Sequence, residues 1–163
     1  MTSSLPYRPN VGAVLFNRAG LVFVAHRADL PKSTGDASGG WQLPQGGIDA
    51  DEEPRAAVLR ELAEEIGTDR AEIIGEHPDW LAYDFPDRLI GPLGGRWRGQ
   101  RQRWFALRFT GTDSDIRLDA GPHPEFDAWR WEELSEVPAL AVPFKRAVYE
   151  VLARSFAHFA KPA

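Results

Sequence analysis

Two apolar runs open the pattern of hydrophobic and polar positions along the chain. They read VGAVLF and LVFVAH, lie between Asn10 and Arg27, and are separated by Asn17-Arg18-Ala19-Gly20. β-branched and aromatic residues on both sides of a glycine-bearing turn predict a β-hairpin. The next stretch, DLPKSTGDASGG at 29–40, is polar and rich in Gly and Ser, which is typical of a loop.

A helical period follows. Pro44 favours an extended conformation for the segment from Trp41 to Pro44. After this segment, apolar residues recur at three- and four-residue spacing. This predicts a helix from about Pro54 to Ile66, because Pro54 suits a first turn and Gly67 suits the position after the last one. Asp49 and Asp51 are the candidate N-cap side chains. At about 100° per residue, one arc collects the residues that we expect to be buried: Val58, Leu62, Ile66, Leu59 and Ala63.

The remaining pattern alternates strands and loops and ends in a second helix. Strands are predicted within 73–83, 102–110 and 126–131, and loops at 84–99 and 112–125. The second amphipathic helix is predicted from Val142 to about Ala160. The apolar residues at its helical spacing are Val148, Val151, Leu152, Phe156 and Phe159. There is no internal repeat, and 163 residues suit one domain, so we expect a single domain over 1–163.

Composition limits the possible functions. The chain has no cysteine, which excludes a disulfide framework and a thiolate metal site and fits a reducing, cytoplasmic location. The start, MTSSLPYRPN, is not a secretory signal, and no apolar run approaches the roughly 20 residues that span a bilayer, so no membrane partner is expected. A net charge of −5 argues against a broad nucleic-acid coat but allows a local basic pocket.

The first predicted helix carries three carboxylates on one stripe. Glu61, Glu64 and Glu65 repel one another at i,i+3 and i,i+4 spacing, as they would on any solvated acidic face. This stripe instead borders the apolar arc through Glu65, and it lacks lysine partners at i+4. A hard divalent cation would offset the repulsion, and Mg²⁺ is commonly held by carboxylates together with substrate phosphates. Gly46 and Gly47 can bring a main-chain carbonyl close to the same cation.

The spacing around this helix resembles the Nudix box, G-x5-E-x7-R-E-U-x-E-E-x-G-U, where U is a bulky aliphatic residue. The matching positions are Gly46, Glu52, Arg60, Glu61, Leu62, Glu64, Glu65 and Gly67. Thr68 departs from the last position, which concerns packing after the helix. The resemblance implies an α/β fold, an α/β/α sandwich with a mixed β-sheet in which the box forms a loop-helix-loop. It also implies hydrolysis of a nucleoside diphosphate linked to another moiety.

The resemblance also implies roles for the box residues. Glu61, Glu64 and Glu65 would bind the metal, Mg²⁺ first and Mn²⁺ or Zn²⁺ as alternatives, and the carbonyl of Gly46 or Gly47 would join them. Arg60 would pair with a glutamate and orient it. Glu52 would lie near the helix start in a supporting role.

The flanking segments are similar to the bacterial RNA pyrophosphohydrolase and dinucleoside polyphosphate hydrolase group along nearly the whole chain. The segments are YRPNVG at 7–12, WQLPQGGI at 41–48, GQRQRWF at 99–105, PEFDAWRW at 124–131 and VPFKR at 142–146. Arg8, Arg27 and Lys145 are the implied phosphate-binding cations, since arginine offers a bidentate fork. Glu125 is an implied further metal ligand, or a residue that handles the attacking water.

Other residues are candidates for holding the nucleobase or the RNA chain. Phe144 could stack on a nucleobase with Val142 beside it, or simply occupy a core position at a helix start. Arg96, Arg98, Arg101 and Arg103 surround Trp97 and Trp104 and could receive an RNA backbone or face solvent. Alternation along the strand places Arg101 and Arg103 on one face. Trp41 is expected in the core.

The main hypothesis is a metal-dependent hydrolase that removes pyrophosphate from 5′-triphosphorylated RNA, with Glu64 or Glu125 as the general base. Diadenosine tetra- or pentaphosphate at the same site is the alternative, and the long 29–40 loop leaves this choice open. A non-catalytic nucleotide-binding module is the alternative of another class, against which the three intact glutamates argue. Sanitation of oxidised nucleoside triphosphates fits the box but not the flanks. Protein partners are not predicted.

Overall fold

Eight strands form one mixed sheet. The computed structural model describes residues 4–28, 40–119, 121 and 124–163. The strands are β1 Tyr7–Phe16, β2 Val22–Arg27, β3 Trp41–Gln42, β4 Gln45–Gly47, β5 Ala71–Glu76, β6 Leu81–Asp84, β7 Gly99–Phe109 and β8 Phe126–Glu132. Most of the 29–40 loop lies outside the described residues.

Four α-helices accompany the sheet in the described part of the chain. They are α1 Pro54–Ile66, α2 Asp87–Ile90, α3 Val137–Leu140 and α4 Pro143–Ser155. Single 3-10 turns occur at Asp113–Asp115, Leu134–Glu136 and Ala157–Phe159. Across 4–28, 40–119, 121 and 124–163, every helix is too short or too polar to span a lipid bilayer.

The predicted hairpin is confirmed, but its strands diverge soon after the turn. The Asn17 side-chain oxygen accepts hydrogen bonds from the N–H groups of Ala19 and Leu21, both at 3.0 Å, which fixes the turn. β1 and β2 pair at Phe16 and Val22. Towards its start, β1 pairs instead with β4, and this brings Gly46 and Gly47 beside it.

The centre of the sheet is a parallel pair. β1 and β7 run side by side from Tyr7 and Gly99 to Phe16 and Arg108. β5 and β6 pair antiparallel with β7, and β3 and β8 pair antiparallel with β2. The sheet is therefore mixed, as expected.

Helices cover both faces of the sheet. On one face α1 packs against alternate residues of the central strands, such as Val11 and Phe105, and on the other α4 packs against residues such as Val14 and Trp104. Each face buries an apolar cluster, because side chains alternate along the strands. The predicted α/β/α sandwich is confirmed.

The bounds of α1 are those predicted, but its N-terminus is built differently. Gly67 adopts φ 79° and its N–H donates to the Ala63 carbonyl at 3.1 Å, a left-handed C-terminal cap. The prediction of an Asp49 or Asp51 cap is wrong, since Glu53 occupies the N-cap position without a side-chain hydrogen bond. The reason is a local turn in which the Asp49 N–H donates to Glu52 at 3.0 Å.

The buried face of α1 is rotated from the predicted arc. Val58, Leu62 and Ile66 are buried as expected, but Ala63 is exposed, and the buried set also includes Ala57 and Glu65. The helix contacts β4 and β1 at the end of the sheet, so Glu65 is buried and Glu61 half-buried, while Glu64 stays exposed.

The later elements agree with the predicted pattern apart from the following differences. The predicted loop 84–99 contains α2 and the start of β7, and α3 was not predicted. The second amphipathic helix ends at Ser155 instead of about Ala160, because a 3-10 turn follows it. Val151 is half-buried, and Lys145 and Tyr149 join the buried face.

Candidate active site

A cavity of about 510 Å³ lies at the end of the sheet where β1 and β7 begin and β2 ends. Its lining comes from segments far apart in sequence, including β4, α1, the residues before β8 and the start of α4. The sheet thus gathers most of the predicted site residues around one space.

Four carboxylates line this cavity. Glu61, Glu64 and Glu65 come from α1, and Glu125 lies just before β8. Burial, with the charges of Glu125 and Glu61 beside it, raises the pKa of Glu65 well above its ordinary value. Burial also raises the pKa of Glu61, although hydrogen bonds from Arg60 oppose that shift. The Glu65 Oε2 atom is buried without a hydrogen-bond partner. This cluster therefore holds negative charge that a cation would stabilise.

Arg60 connects the helix to the strand before it. Its Nε and Nη2 donate to the two oxygens of Glu52 at 2.7 and 2.8 Å, and Nη2 also donates to the Gly47 carbonyl at 2.9 Å. Its Nη1 donates to Glu61 at 2.9 Å and to Glu64 at 3.2 Å. The arginine thus pairs with glutamates as predicted, and it orients a main-chain carbonyl as well.

Glu52 is the strongest of these partners. The bidentate hydrogen bonds from Arg60 lower the pKa of Glu52 to about 2. Glu52 lies just before the start of α1, which is the supporting position predicted for it.

The two box glycines make room for charged groups. A Cβ atom on Gly46 would overlap the Glu61 carboxylate, and one on Gly47 would overlap the Arg8 guanidinium. Both side chains therefore rest directly against bare backbone, which explains why glycine stands at these two positions.

We expect Gly46→Ala to lower kcat/KM by about 10²-fold or more, because displacing Glu61 misplaces a site group by roughly an ångström. Gly91→Ala is the matched control, since a Cβ there meets no heavy atom within 4 Å. Steady-state kinetics and a thermal melt of both variants check this. Equal activity of the two would show that the Glu61 position is not critical.

Three cations share the cavity with the carboxylates. Arg8 and Arg27 line it from β1 and β2, and Lys145 lines it from α4. Arg8 is exposed, whereas Lys145 is only 4% exposed and donates to the Gln42 side-chain oxygen at 2.9 Å. A buried lysine fixed by an amide offers a point charge of defined position.

One of the two predicted base-binding residues lines the cavity. The Phe144 ring lies 5.7 Å from Tyr83 and 6.4 Å from Phe85, and all three rings line the space. Val142 does not line it. Val142 is the half-buried N-cap residue of α4, and its carbonyl accepts the Lys145 N–H at 3.0 Å.

A sequence model of the NUDIX domain matches residues 6–152. The chain belongs to the Nudix family. It is 67% identical over 159 residues to the RNA pyrophosphohydrolase of Acidiphilium cryptum, covering 98% of this chain and 95% of that one. It is 61% identical over 163 residues to the RNA pyrophosphohydrolase of Gluconacetobacter diazotrophicus, covering 99% and 98%.

Solved Nudix structures share the fold. The C. elegans Ap4A hydrolase binary complex superposes with a TM-score of 0.63 at 18% identity, covering 93% of this chain and 98% of that one. At this identity the likeness supports the fold alone. The match to the Nudix model ends at residue 152, and one domain over 1–163 stays a prediction.

Nudix hydrolases depend on divalent metals, and the donor set of this cavity suits one. Its carboxylate and carbonyl oxygens are the ligands that Mg²⁺ prefers, and the buried, unpartnered oxygen of Glu65 would gain a partner. In the described part of the chain, no three His, Asp or Glu side chains are arranged to hold a metal ion. Arg60 holds oxygens of both Glu61 and Glu64 in this arrangement.

Sequence reasoning missed the polar floor of the Nudix cavity. Gln102 donates to Asn10 at 2.8 Å and to Gln45 at 3.2 Å, and Gln45 donates to Tyr83 at 3.1 Å. All four residues are buried. The only signal of the three amides was their recurrence in the quoted segments, and an amide without a charged partner does not stand out.

His26 was missed as well. It is fully buried, and its Nδ1 lies 2.9 Å from an Asp127 carboxylate oxygen. The pairing of β2 with β8 shifts register between His26 and Arg27, and the Ala28 N–H donates to the Glu125 carbonyl at 2.8 Å. The pair joins β2 to β8 beside two cavity residues, Arg27 and Glu125.

The predicted arginine cluster is only partly a cluster. Arg101 and Arg103 share a face, as alternation predicted, and both guanidinium groups lie over the Trp80 ring. Trp104 is fully buried, so the arginines do not surround it, because it packs in the α4 core. Trp41 is half-buried against the same core, in line with the prediction for it.

Proposed function

We propose that this chain removes pyrophosphate from the 5′ end of triphosphorylated RNA and leaves a 5′-monophosphate. The observation that carries the proposal is one cavity lined by four carboxylates and three cations. Relatives at 67% and 61% identity over nearly the whole chain are RNA pyrophosphohydrolases. The proposed location is the cytoplasm, in keeping with the cysteine-free composition.

The cations are proposed to hold the phosphate chain. Arg8 and Arg27 would each bind phosphate oxygens through a guanidinium fork, and Lys145 would add a buried point charge. Gln42 holds the Lys145 amine in place at 2.9 Å. The three cations would align the reacting phosphate against the carboxylates.

The carboxylates are proposed to hold a divalent cation, with Mg²⁺ favoured over Mn²⁺ or Zn²⁺. The ligands would be Glu61, Glu64, Glu65 and Glu125 with a glycine carbonyl. Arg60 already engages the Gly47 carbonyl, which favours that of Gly46. When bound, such a cation lowers the pKa of a water ligand and offsets charge on phosphate oxygens.

A carboxylate is also proposed to take the proton of the attacking water. Glu64 is one candidate, with 59% of its side chain accessible, but Arg60 holds both of its oxygens. Glu125 is the second candidate and lies against Glu65 and Glu61. Separate Glu64→Gln and Glu125→Gln variants would assign the base, since only loss of the base removes the rise in rate with pH on the acidic side of the rate profile.

Phe144 is proposed to stack on a nucleobase. Its ring lines the cavity beside Tyr83 and Phe85, and stacking on an aromatic ring accepts any base. The place expected for Val142 beside the base is weakened, because Val142 does not line the cavity. Hydrolysis of dinucleoside polyphosphates needs the same groups, so it remains the alternative substrate class.

The deciding experiment compares 5′-triphosphorylated RNA with diadenosine tetraphosphate under one Mg²⁺ concentration. We expect a higher kcat/KM for the RNA, loss of activity on metal chelation and recovery when Mg²⁺ is restored. A preference for the dinucleotide would overturn the RNA assignment. Nucleotide binding without metal-dependent turnover of either substrate would instead favour a non-catalytic module.

A further inference from the structure

Trp80 is an exposed aromatic side chain close to the cavity. It precedes β6 and is 40% exposed. Among the described residues, the other exposed large hydrophobic side chain is Leu93, at 42%, which lines the cavity. Large apolar side chains of a soluble domain are mostly covered, so this ring needs an explanation.

Arginine side chains lie over this ring. The Arg101 guanidinium carbon is 4.3 Å from the ring centre, and that of Arg103 is 5.6 Å away. Arg103 is ion-paired with Glu76 and donates to the Pro78 carbonyl at 3.0 Å. Arg101 is exposed, and the ion pairs of the described residues do not include it. Its charge is thus stacked on a ring but not neutralised.

Strand register places this pair next to the cavity. Arg101 pairs with Ala82 of β6, and the preceding pair is Gln100 with Tyr83, both of which line the cavity. One residue along a strand is about 3.4 Å, and successive side chains point to opposite faces. β6 pairs with β7 alone among the described strands. Trp80 and Arg101 therefore lie on one face of the β6–β7 pair, and Gln100 and Tyr83 on the opposite face form part of the cavity wall.

The combination of a partly exposed aromatic ring and an unneutralised arginine suits single-stranded nucleic acid. A base can stack on the ring, and the guanidinium can bind a phosphate. A duplex would hide its base faces. In a chain of net charge −5, such recognition has to be local.

We propose that Trp80 and Arg101 bind the single-stranded RNA that follows the 5′ triphosphate, a few nucleotides from the end held in the cavity. The proposal rests on the proposed function and adds a second contact for the same substrate. The RNA leaves the cavity over β6, one base stacks on Trp80, and Arg101 binds the adjoining phosphate.

This contact predicts a dependence on RNA length. A triphosphorylated dinucleotide is too short to reach Trp80, whereas an RNA of about 12 nucleotides reaches it. Trp80→Ala and Arg101→Gln are expected to raise KM for the longer RNA by roughly fivefold to a hundredfold, with little change in kcat. Neither should alter kcat/KM for the dinucleotide. Arg101→Gln should also reduce the salt dependence of binding by about one released counterion.

The experiment measures kcat, KM and anisotropy-detected binding for both RNA lengths. Arg70→Gln is the matched control, because Arg70 is exposed beside the far end of β7. Equal effects on both lengths, or none, would overturn the proposal. Loss of self-association in Trp80→Ala, seen by sedimentation without a change in RNA binding, would identify a protein contact instead.

Failure of the proposed function would look different. If the longer RNA binds in a Trp80-dependent way but is not hydrolysed, the proposed activity is overturned and the proposed RNA contact at Trp80 and Arg101 stands. If the RNA is hydrolysed but its binding does not depend on Trp80, the proposed activity stands and the proposed RNA contact at Trp80 and Arg101 is overturned.

Discussion

A Glu65→Gln variant is expected to lose at least about 10²-fold in kcat and yet to melt at a higher temperature than the wild type when no metal is present. Glutamine keeps the shape of the side chain and removes its charge. Activity falls because the cavity loses a proposed metal ligand. Stability rises because Glu65 is 9% exposed and one of its oxygens has no hydrogen-bond partner.

The sign of the stability change follows from the raised pKa of Glu65. In the unfolded chain the carboxyl titrates near 4.5, and in the folded protein burial raises its pKa. Below pH 4.5 the group is protonated in both states, so its ionisation does not affect folding. As pH rises through and beyond this value, ionisation favours unfolding. Removing it should stabilise the metal-free protein by about 1–2 kcal/mol, or roughly 2–8 °C, near neutral pH.

Thermal melts across pH, with and without Mg²⁺, check this prediction together with steady-state kinetics. Mg²⁺ should raise the melting temperature of the wild type more than that of the variant. Glu72→Gln, an exposed acid on β5, is the control and should change neither property. A metal-free Glu65→Gln protein less stable than the wild type would contradict the account of Glu65 as an uncompensated buried carboxyl.

Arg60→Ala is expected to lower both stability and activity. The guanidinium joins two oxygens of Glu52 at 2.7 and 2.8 Å to the Gly47 carbonyl at 2.9 Å and to Glu61 at 2.9 Å. Its removal leaves half-buried carboxylates without their cation. A loss of about 2–4 kcal/mol follows, which is roughly 4–16 °C in melting temperature. We expect kcat/KM to fall by about 10²-fold or more, because the hydrogen bonds that hold β4 and α1 in their relative positions are lost.

Arg60→Lys tests whether charge alone suffices. A single ammonium cannot reproduce the fork to Glu52 and also reach the Gly47 carbonyl, so it should recover only part of either property. Arg70→Ala, on an exposed arginine, should leave both unchanged. Calorimetry and kinetics of the three variants give the comparison. Wild-type stability in Arg60→Ala would mean that the network is not part of the folded core.

The bounds of α1 could be predicted because its signals are local. Pro54, the apolar period and Gly67 lie within one short segment, and the structure has each in the expected place. The burial of Glu65 and the exposure of Ala63 could not be predicted in the same way. They depend on β1 and β4 packing against the helix, and β1 is distant from it in sequence.

The site residues divide in a similar way. Charged residues in spaced patterns, such as the glutamates of α1 and Arg8, were found from sequence, and the cavity gathers them. Asn10 and Gln102 were not found, because a buried amide is recognisable only when its partner is known. Val142 had been paired with Phe144 by adjacency, but the first turn of α4 separates them, turning one side chain into the cavity and leaving the other outside its lining.

The parallel pairing of β1 with β7 has a consequence for how the protein is made. Asn10 and Gln102, which bond across this pair, are 92 residues apart in sequence. β1 can therefore pair with β7 only after most of the chain has been synthesised. Pairing between such distant segments is slow to form and leaves apolar strands open in the meantime. A nascent or truncated chain that lacks β7 has no cavity floor, so the ability to act on substrate arises only late in translation.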